Sequence, residues 1–591
     1  MVRLIVVLFA VLSIGCSGGE VSSGGGNPAP QSAAPTGLSA AAPSSVSISL
    51  KWQGAGRFSS FRVYRNDIEI AQTSSTSYLD TGLTPATPYR YFVRGVTTSG
   101  LSEPSETITV TTPNMLRLAN AALADVARRS YLMIRDVEFD GNGNLFVAGG
   151  AFSADFPTTA GAFDRTLASG GSSPGTAGPS DAFIMKFSRS GALVWSTLIG
   201  GPNYDRAYAL EIAPDGGVII AGRAGEGFPT TAGVVQQNFA GDTAPNAAYG
   251  RQDGFIAKLS SDGSTLLWST FIGDTKSGFL RDIDVDDAGR VYAAGAFFGG
   301  FSHVTSNAAQ GAVRGAHDLA YVRLSADAKR IEYGTYLGGV EPAGATPGTP
   351  SIEVTPSREV LVAIEEGGSG APTTPGALQQ RGAGGDDFLI AKFSPTDALV
   401  YATYLGGSGD EGLETHNIAA DGSGRLAIAA VSASQDYPTT QNAYQPTFGG
   451  GASDAVISIL SADGSRLIAS TYFGGPGRED IQGVRFAPDG LLYASGGTRS
   501  ASLRTTSNAA QGSFAGIEDA VLVAFNSSLN GAPYVSYLGG GDEDIARALA
   551  IGLDGRIAIA GHTASHNFPV SAGGSTVPNG AYTGWIAVLT P

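Results

Sequence analysis

The strongest constraint on the fold is a repeat that runs from about residue 134 to the end of the chain, with a period of 64–72 residues. One phrase, first seen as Asp181-Ala-Phe-Ile-Met-Lys-Phe-Ser188, occurs seven times, and another, first seen as Trp195-Ser-Thr-Leu-Ile-Gly-Gly201, occurs six times. A unit of this length holds four short strands with their turns, and the apolar runs carry β-branched or aromatic residues at alternating positions. The repeat therefore predicts seven four-stranded units, each covered on both faces by its neighbours.

The composition agrees with a fold of short strands and many turns. Glycine contributes 84 of the 591 residues, about twice its usual share, while glycine and proline together stay below the share typical of disordered chains. Hydrophobic residues make up 42%, which is enough for packed cores. The chain is also longer than the roughly 250–300 residues over which one core grows, so we expect more than one domain.

A third phrase, Phe156-Pro-Thr-Thr159, is echoed in other units. The three phrases together resemble the bacterial seven-bladed β-propeller repeat family (SBBP) over nearly all of residues 134–591, and the resemblance implies a ring of seven blades. The seventh unit ends after its third strand. We therefore expect Ser130-Tyr131-Leu132, at the end of a linker over 114–133, to supply its outer strand and close the ring.

Residues 36–113 read as a separate all-β domain, because short runs of alternating apolar and polar residues are separated by turn residues. Trp52 and the run Leu83-x-Pro85-x-Thr87-x-Tyr89-x-Tyr91-x-Val93 resemble the fibronectin type III domain and its tyrosine corner. The resemblance implies a β-sandwich that acts as a spacer or docking module. The predicted fold class is all-β, with this sandwich followed by the seven-bladed propeller.

The first sixteen residues resemble a bacterial lipoprotein signal. A short basic start precedes an apolar run over 4–14, which is too short to span a bilayer, and Gly15-Cys16 follows. The resemblance implies lipid attachment at Cys16, the only cysteine, and outer-membrane or cell-surface location; an ordinary cleaved signal with an incidental cysteine is the alternative. Residues 17–35 are rich in Gly, Ser and Pro and read as a flexible tether.

One set of acidic residues falls at the same place in the first strand of four consecutive units. Its members, which we expect at one level near the central channel, are Glu138, Glu211, Asp284 and Glu353. Carboxylates this close repel one another unless water, a cation or arginine intervenes. The interpretations that stay open are a Ca²⁺ site, a wet channel wall, or bonds from these acids to the backbone of the next blade.

The second strand of each unit leaves toward the long, variable connections, which is where recognition usually lies on a rigid scaffold. Charged or titratable residues at this exit are the candidate ligand-binding residues: Arg223, Glu365 and His562, together with Glu366. The pair Glu365-Glu366 breaks the repeated Ala-Gly pattern. No catalytic residue is assigned.

Charge and motifs exclude several functions. The net charge of −16 disfavours nucleic-acid binding. A single cysteine and five histidines leave little room for a zinc site, and no phosphate loop, dinucleotide fingerprint or nucleophile elbow is visible. We expect no cofactor, with Ca²⁺ as the one open possibility, and membrane contact only through the N-terminal lipid.

The sequence favours a monomeric, extracytoplasmic lipoprotein without enzymatic activity, whose long-loop face binds a glycan or a protein. Two alternatives remain. One is a secreted carbohydrate-active enzyme, either a glycoside hydrolase or a polysaccharide lyase, and the other is a scaffold for envelope assembly. The ligand itself cannot be named, because fold alone does not supply one.

Overall fold

The computed structural model describes residues 34–44, 47–54, 57–84, 87–112, 117–123, 132–241, 246–273, 275–276, 278–299, 301–340, 348–367, 370–570 and 582–590. Every regular element in these ranges is a β-strand. The chain divides into two compact units, the larger of which contains all of Val110–Pro591. No helix within the described ranges is long and apolar enough to cross a membrane. Cys16 lies outside these ranges, as does the apolar run before it.

The fibronectin-like region contains two antiparallel sheets. Its strands are β1 Thr36–Ser44, β2 Ser47–Gln53, β3 Ser60–Arg65, β4 Ile68–Thr73, β5 Ser77–Thr81, β6 Pro88–Thr97, β7 Gly100–Pro104 and β8 Ile108–Thr111. One sheet has the order β1-β2-β5 and the other β4-β3-β6-β7, with β8 beside β6. Trp52 is buried against the edge of Phe61, and the hydroxyl of Tyr89 accepts a hydrogen bond from the Thr84 amide at 2.8 Å. Both residues therefore have the structural roles predicted for them.

Seven further sheets lie in the larger unit, and we number them as blades in chain order. The strand β9 spans Arg117–Leu123. Blade 1 comprises β10 Leu132–Phe139, β11 Leu145–Ala151, β12 Asp181–Phe187 and β13 Leu193–Ile199, and blade 2 comprises β14 Arg206–Ile212, β15 Val218–Ala224, β16 Asp253–Leu259 and β17 Leu266–Ile272. Blade 3 comprises β18 Gly278–Val285, β19 Val291–Phe297, β20 Asp318–Leu324 and β21 Ile331–Leu337, and blade 4 comprises β22 Ser351–Val354, β23 Val360–Glu366, β24 Asp387–Phe393 and β25 Leu399–Leu405. Blade 5 comprises β26 Glu411–Gly412, β27 Ile418–Ala420, β28 Leu426–Ser432, β29 Asp454–Leu460 and β30 Leu467–Phe473. Blade 6 comprises β31 Glu479–Phe486, β32 Leu492–Thr498, β33 Asp519–Phe525 and β34 Tyr534–Leu538, and blade 7 contains β35 Asp544–Ile551, β36 Ile557–Thr563 and β37 Thr583–Thr590.

The blades close into a seven-bladed propeller. The first strand of each blade contacts the first strand of the next, and β35 of blade 7 contacts β10 of blade 1, so these strands line the axis of the ring. The buried apolar side chains form clusters between adjacent blades, as in the group that joins Phe183 of blade 1 to Ala560 of blade 7. Both faces of a blade are thus covered, which explains why the strands are apolar on both sides.

The closing strand lies elsewhere than predicted. Strand β9 pairs antiparallel with β37 and completes blade 7. Of the predicted segment, Ser130 and Tyr131 lie outside the described ranges, and Leu132 begins the inner strand of blade 1. The error has a physical cause: Leu132 is buried and is needed by its own blade, while the segment that pairs with β37 has little of the outer-strand phrase to mark it.

A β-bulge interrupts the inner strand in five blades and determines what faces the axis. The unpaired bulge residues are Arg135, Tyr208, Arg281, Gln482 and Arg547. In each of these blades the neighbouring strand has a glycine, at 149, 222, 295, 496 and 561, whose added Cβ would lie 1.8–2.2 Å from a carbonyl oxygen of the bulged strand. Blades 4 and 5 have Ile364 and Ala430 at this place, and neither has the bulge. The bulge therefore requires the glycine of the repeated Ala-Gly phrase.

Blade 5 departs most from the repeat. Its inner strand is broken into β26 and β27, and residues 413–417 form a loop between them. Within this loop His416 has φ of +64°, a left-handed conformation that is uncommon for a residue other than glycine. The loop brings Glu414 and His416 to the axis of the ring.

Candidate functional site at the two ends of the axial channel

The long connections define one face of the ring. Successive strands in each blade are antiparallel, so the connection after the second strand and the link to the next blade leave from the same face, which we call the long-loop face. Inner strands run from this face toward the tight turns. The register pairs Arg206 with Arg223 and Ile545 with His562, which places the predicted exit residues at the long-loop end of the channel.

Five arginines gather at this end, which we call the channel mouth: Arg135, Arg206, Arg223, Arg281 and Arg547. Three of them are bulge residues, because a bulge turns the unpaired side chain toward the axis. Residues Arg206 and Arg223 are 3% and 5% exposed. The side chains of Arg135, Arg281 and Arg547 are 12%, 16% and 17% exposed to solvent.

Aromatic rings surround Arg223. Its guanidinium carbon lies 4.4 Å from the ring centre of Tyr249 and 4.5 Å from that of Phe279, and its Nε is buried without a hydrogen-bond partner. Tyr249 reaches this place from the long connection of blade 2, where its ring lies 4.8 Å from that of Tyr204. Cation–π attraction stabilises such a guanidinium, but it leaves the N–H donors without acceptors.

Tyr208 lies at the centre of the cluster. Its hydroxyl accepts a hydrogen bond from Nη2 of Arg206. Burial opposes ionisation of this phenol, but the guanidinium groups of Arg206, Arg223, Arg281 and Arg135 outweigh burial and lower its pKa to about 6. The mouth thus holds enough positive charge to ionise a buried tyrosine near neutral pH.

Glu414 is the carboxylate that faces these arginines. Its oxygens lie 3.6 Å from Arg547 Nη1, 3.8 Å from Arg135 Nη1 and 3.9 Å from Arg281 Nη1, within ion-pair range but beyond hydrogen-bond distance. Burial would raise the pKa of Glu414, but these three arginines keep it below its ordinary value. Burial and the neighbouring Arg206 and Arg547 also lower the pKa of Arg135 to about 9.

The other predicted ligand residues separate into different roles. Glu365 accepts a hydrogen bond from the Leu413 amide and so holds the blade 5 loop; burial raises its pKa to about 8. Glu366 is buried and accepts from the Gly339 amide at 2.8 Å, which ties two blades together. His562 lies at the mouth with its ring against Tyr582, and burial, with the nearby Arg547, lowers its pKa to about 3.

His416 forms a layer beneath the mouth. Its Nε2 lies 3.2 Å from Asp136 Oδ2 and its Nδ1 lies 3.1 Å from Asp282 Oδ1, which links blade 5 to blades 1 and 3 across the axis. Burial would lower the pKa of His416, but the two aspartates outweigh burial and raise it to about 10. A buried imidazolium therefore joins three blades.

The acidic level lies at the opposite end of the channel, close to the tight turns. Asp284 accepts from the amides of Val285 and of Val354 in the next blade, each at 2.6 Å. Burial raises the pKa of Glu138 and Asp284 to about 7 and that of Glu353 to about 8, although Arg485 lowers all three; burial and Asp284 raise that of Glu211 further.

Two other channel acids, in the layer of His416, also accept hydrogen bonds from backbone amides of the next blade. Asp136 accepts from the Leu210 amide of blade 2, and Asp282 from the Ile352 amide of blade 4. In the part of the chain that the structure describes, no three His, Cys, Asp or Glu side chains are arranged to hold a metal ion.

Sequence reasoning did not identify the bulge arginines, His416 or Glu414. The usable signal was the second-strand glycine, because it marks each blade whose inner strand bulges. The phrase Glu414-Thr-His416-Asn417 also lacks the alternation of the other inner strands. Both signals were visible in the repeat, but their meaning depends on which side chain the bulge exposes.

A family model matches part of the chain. Residues 33–111 match the fibronectin type III domain. Over 80 residues, 13% of this chain, the sequence is 42% identical to a poly(3-hydroxybutyrate) depolymerase of Ralstonia pickettii and covers 16% of that protein. Over 99 residues, 16% of this chain, it is 34% identical to chitinase Chi52 of Paenibacillus xylanexedens and covers 19% of it. An α-amylase of Niallia circulans is 40% identical over 85 residues, 14% of this chain and 7% of the amylase.

Solved structures match the chain over longer stretches at low identity. A protein of unknown function from Dyadobacter fermentans is 12% identical with a TM-score of 0.39, covering 80% of this chain and 99% of that one. The acylaminoacyl peptidase of Pyrococcus horikoshii is 9% identical with a TM-score of 0.35, covering 76% of this chain and 53% of the peptidase.

The curated relatives contradict the prediction of a protein without enzymatic activity. Those reported above are named as enzymes, as is a related exoglucanase B of Cellulomonas fimi. The chain spans less than a fifth of the length of each relative. What these matches establish is a chain that carries a fibronectin type III domain similar to one found in these enzymes.

Proposed function

We propose that this chain is an extracytoplasmic carbohydrate-active protein whose propeller engages a saccharide at the channel mouth. The observation that carries the proposal is the arginine cluster with its flanking rings of Tyr249 and Phe279, on the face that bears the long connections. Half-buried aromatic rings beside polar donors suit a sugar, because the ring covers C–H groups while the donors orient the ligand.

The relatives support an extracellular polymer as the target. They are named depolymerase, α-amylase, exoglucanase and chitinase. We extend to this chain the association between a fibronectin type III domain and a unit that acts on a polymer, with the propeller as that unit. On this proposal the domain is a spacer or docking module.

The proposed location follows from the N-terminal segment. On this proposal the SBBP-like ring is attached to the bacterial outer membrane or cell surface by lipid on Cys16, and residues 17–35 form a tether of about 25 Å r.m.s. length. Replacing Cys16 with Ala should move the protein from the membrane fraction to the soluble fraction. Unchanged partitioning would overturn the lipid anchor alone.

The functional test is a screen of the full chain against soluble and insoluble polysaccharides, scored both for retention and for release of new reducing ends. We expect retention on at least one polymer and a loss of about tenfold or more in Arg547→Gln. The control is Arg466→Gln, an exposed arginine on a tight turn at the opposite face. If the chain is retained on no polymer and releases no product from any, the proposal is overturned. Release of product would identify the protein as an enzyme.

A further inference from the structure

The charge at the channel mouth is not balanced. Five guanidinium groups lie here beside the phenol of Tyr208, and among the described residues Glu414 is the carboxylate within ion-pair distance of three of them. Two further carboxylates lie near these arginines, Glu365 of β23 near Arg281 and Asp480 of β31 near Arg547, but each also binds other groups. Glu365 accepts from the Leu413 amide, while Asp480 accepts from Gln482 at 2.8 Å and pairs with Arg478 at 3.1 Å. A local excess of positive charge thus persists in a chain whose net charge is −16.

The arginine donors are also incompletely satisfied. Nε atoms of all five arginines are buried without a hydrogen-bond partner, as is Nη1 of Arg281. A guanidinium has five N–H donors in a planar fork that fits a carboxylate or sulfate. Leaving such donors buried and unpaired is costly, so a cluster with several of them would be stabilised by an added acceptor.

Glu414 marks where an anion is held. It reaches the arginines from the loop that interrupts the inner strand of blade 5, and its oxygens stay 3.6–3.9 Å from three separate guanidinium groups. One carboxylate at these distances attracts all three arginines without forming a bidentate pair with any. The three arginines that it faces are also the more exposed members of the cluster.

We infer that the channel mouth is an anion site, and that the saccharide it takes is acidic, with carboxylate or sulfate groups received by Arg135, Arg281 and Arg547. Behind them, Arg206 and Arg223 form a buried wall that adds positive potential. This inference rests on the proposed function, but a neutral saccharide bound at the same face would satisfy that function without it.

The inference can be tested with acidic polymers and matched neutral ones. The full chain is titrated with polygalacturonate, alginate, hyaluronate and dextran sulfate, and with fully methyl-esterified polygalacturonate and unmodified dextran as uncharged counterparts. We expect the chain to bind at least one acidic polymer, and added salt should weaken that binding. For polygalacturonate and dextran sulfate, which have uncharged counterparts here, the counterpart should bind at least tenfold more weakly. The bound acidic polymer should also raise the melting temperature of the propeller.

Charge variants of opposite sign provide the specific readout. Arg281→Gln should weaken binding about tenfold or more, whereas Glu414→Gln should tighten it about threefold to tenfold because it removes the competing carboxylate. Arg466→Gln on the opposite face is the control and should leave the affinity for the polymer unchanged. Since Arg281 belongs to an overcharged cluster, its replacement should leave the melting temperature unchanged or raised, which separates lost binding from lost folding.

Each remaining result overturns a defined part. Equal binding of charged and uncharged polymers, unaffected by Arg281→Gln, would overturn the anion site and leave the proposed function standing. Binding of polyglutamate as tight as that of the acidic polysaccharide would overturn the saccharide and indicate an acidic peptide partner. Failure of every acidic polymer while a neutral one binds would end the inference, and failure of all polymers would end both.

Discussion

The two ends of the axial channel use neighbouring positions of the same strands, yet they have opposite charge. On β10, Arg135 faces the mouth and Glu138 the acidic level, and on β18 the pair is Arg281 and Asp284. The members of each pair are three positions apart along the strand, a distance of about 10 Å. At the mouth the Nε atoms of the five arginines lack hydrogen-bond acceptors, whereas at the acidic level Asp284 accepts from two backbone amides. The two ends therefore differ in how their charges are satisfied, and the proposed ligand site lies at the end where donors remain unpaired.

The layer that separates the two ends should give the largest effect. His416→Ala leaves Asp136 and Asp282 buried without the imidazolium between them, and removing one partner of a buried ion pair costs about 3–5 kcal/mol. Denaturant unfolding of the full chain, followed on the propeller transition, measures the change. The control is His566→Ala, an exposed histidine, for which we expect a change within about 0.5 kcal/mol.

The pH dependence of the same layer has a definite sign. The folded pKa of His416, about 10, lies above its ordinary value of 6.5. Its stabilisation is therefore complete below pH 6.5 and is lost as the pH rises through about 10. The stability difference between wild type and His416→Ala should shrink over that interval. A difference that stays constant would mean that the ring is not an imidazolium.

At the acidic level the next largest effect should come from Arg485→Gln. Arg485 is the cation that lowers the pKa of Glu138 and Glu353 against their burial. Without it we expect a loss of about 2–4 kcal/mol at pH 8, where these acids ionise, and a smaller loss at pH 5, where they are protonated. Equal losses at the two pH values would show that Arg485 acts by packing and not by charge.

A smaller effect of opposite direction should follow from Glu353→Gln. The folded pKa of Glu353, about 8, lies above its ordinary value of 4.5, so the wild type loses stability as the pH rises from about 4 to 8. Glutamine keeps the shape but cannot ionise. Relative to wild type, the variant should gain about 1–2 kcal/mol between pH 5 and pH 8, whereas Glu103→Gln, at an exposed position in β7, should show no such trend.

The sequence predicted the blades well because the repeat states them directly. Strand phrases recur with the spacing of four-stranded sheets, and Trp52 and Tyr89 make the fibronectin type III domain recognisable from the sequence. The closing strand was misplaced, since pairing between distant segments depends on the whole ring and not on a local pattern. Ser130-Tyr131-Leu132 matched the outer-strand phrase, but Leu132 already belongs to β10.

The candidate site was predicted less completely. Arg223, Glu365 and His562 do lie toward one end of the channel, because strand register alone places the exits of the second strands together. The bulge arginines were missed because a bulge shifts the inner strand by one residue and turns toward the axis a side chain that plain alternation would leave elsewhere. Glu414 and His416 were missed because an insertion breaks the alternation altogether.

The smallest predicted effect concerns Tyr208, the one acidic hydroxyl placed among the arginines of the mouth. Its folded pKa, about 6, lies below the ordinary value of 10, so ionisation of Tyr208 stabilises the fold increasingly as the pH rises from 6 to 10. Tyr208→Phe should therefore cost about 1 kcal/mol more at pH 8 than at pH 5. Tyrosinate ultraviolet absorbance of the wild type should show one step near pH 6 that the variant lacks. If the step is absent from the wild type, the positive potential of the mouth is weaker than the charge count implies, and the contrast between the two ends of the channel is reduced to the acids alone.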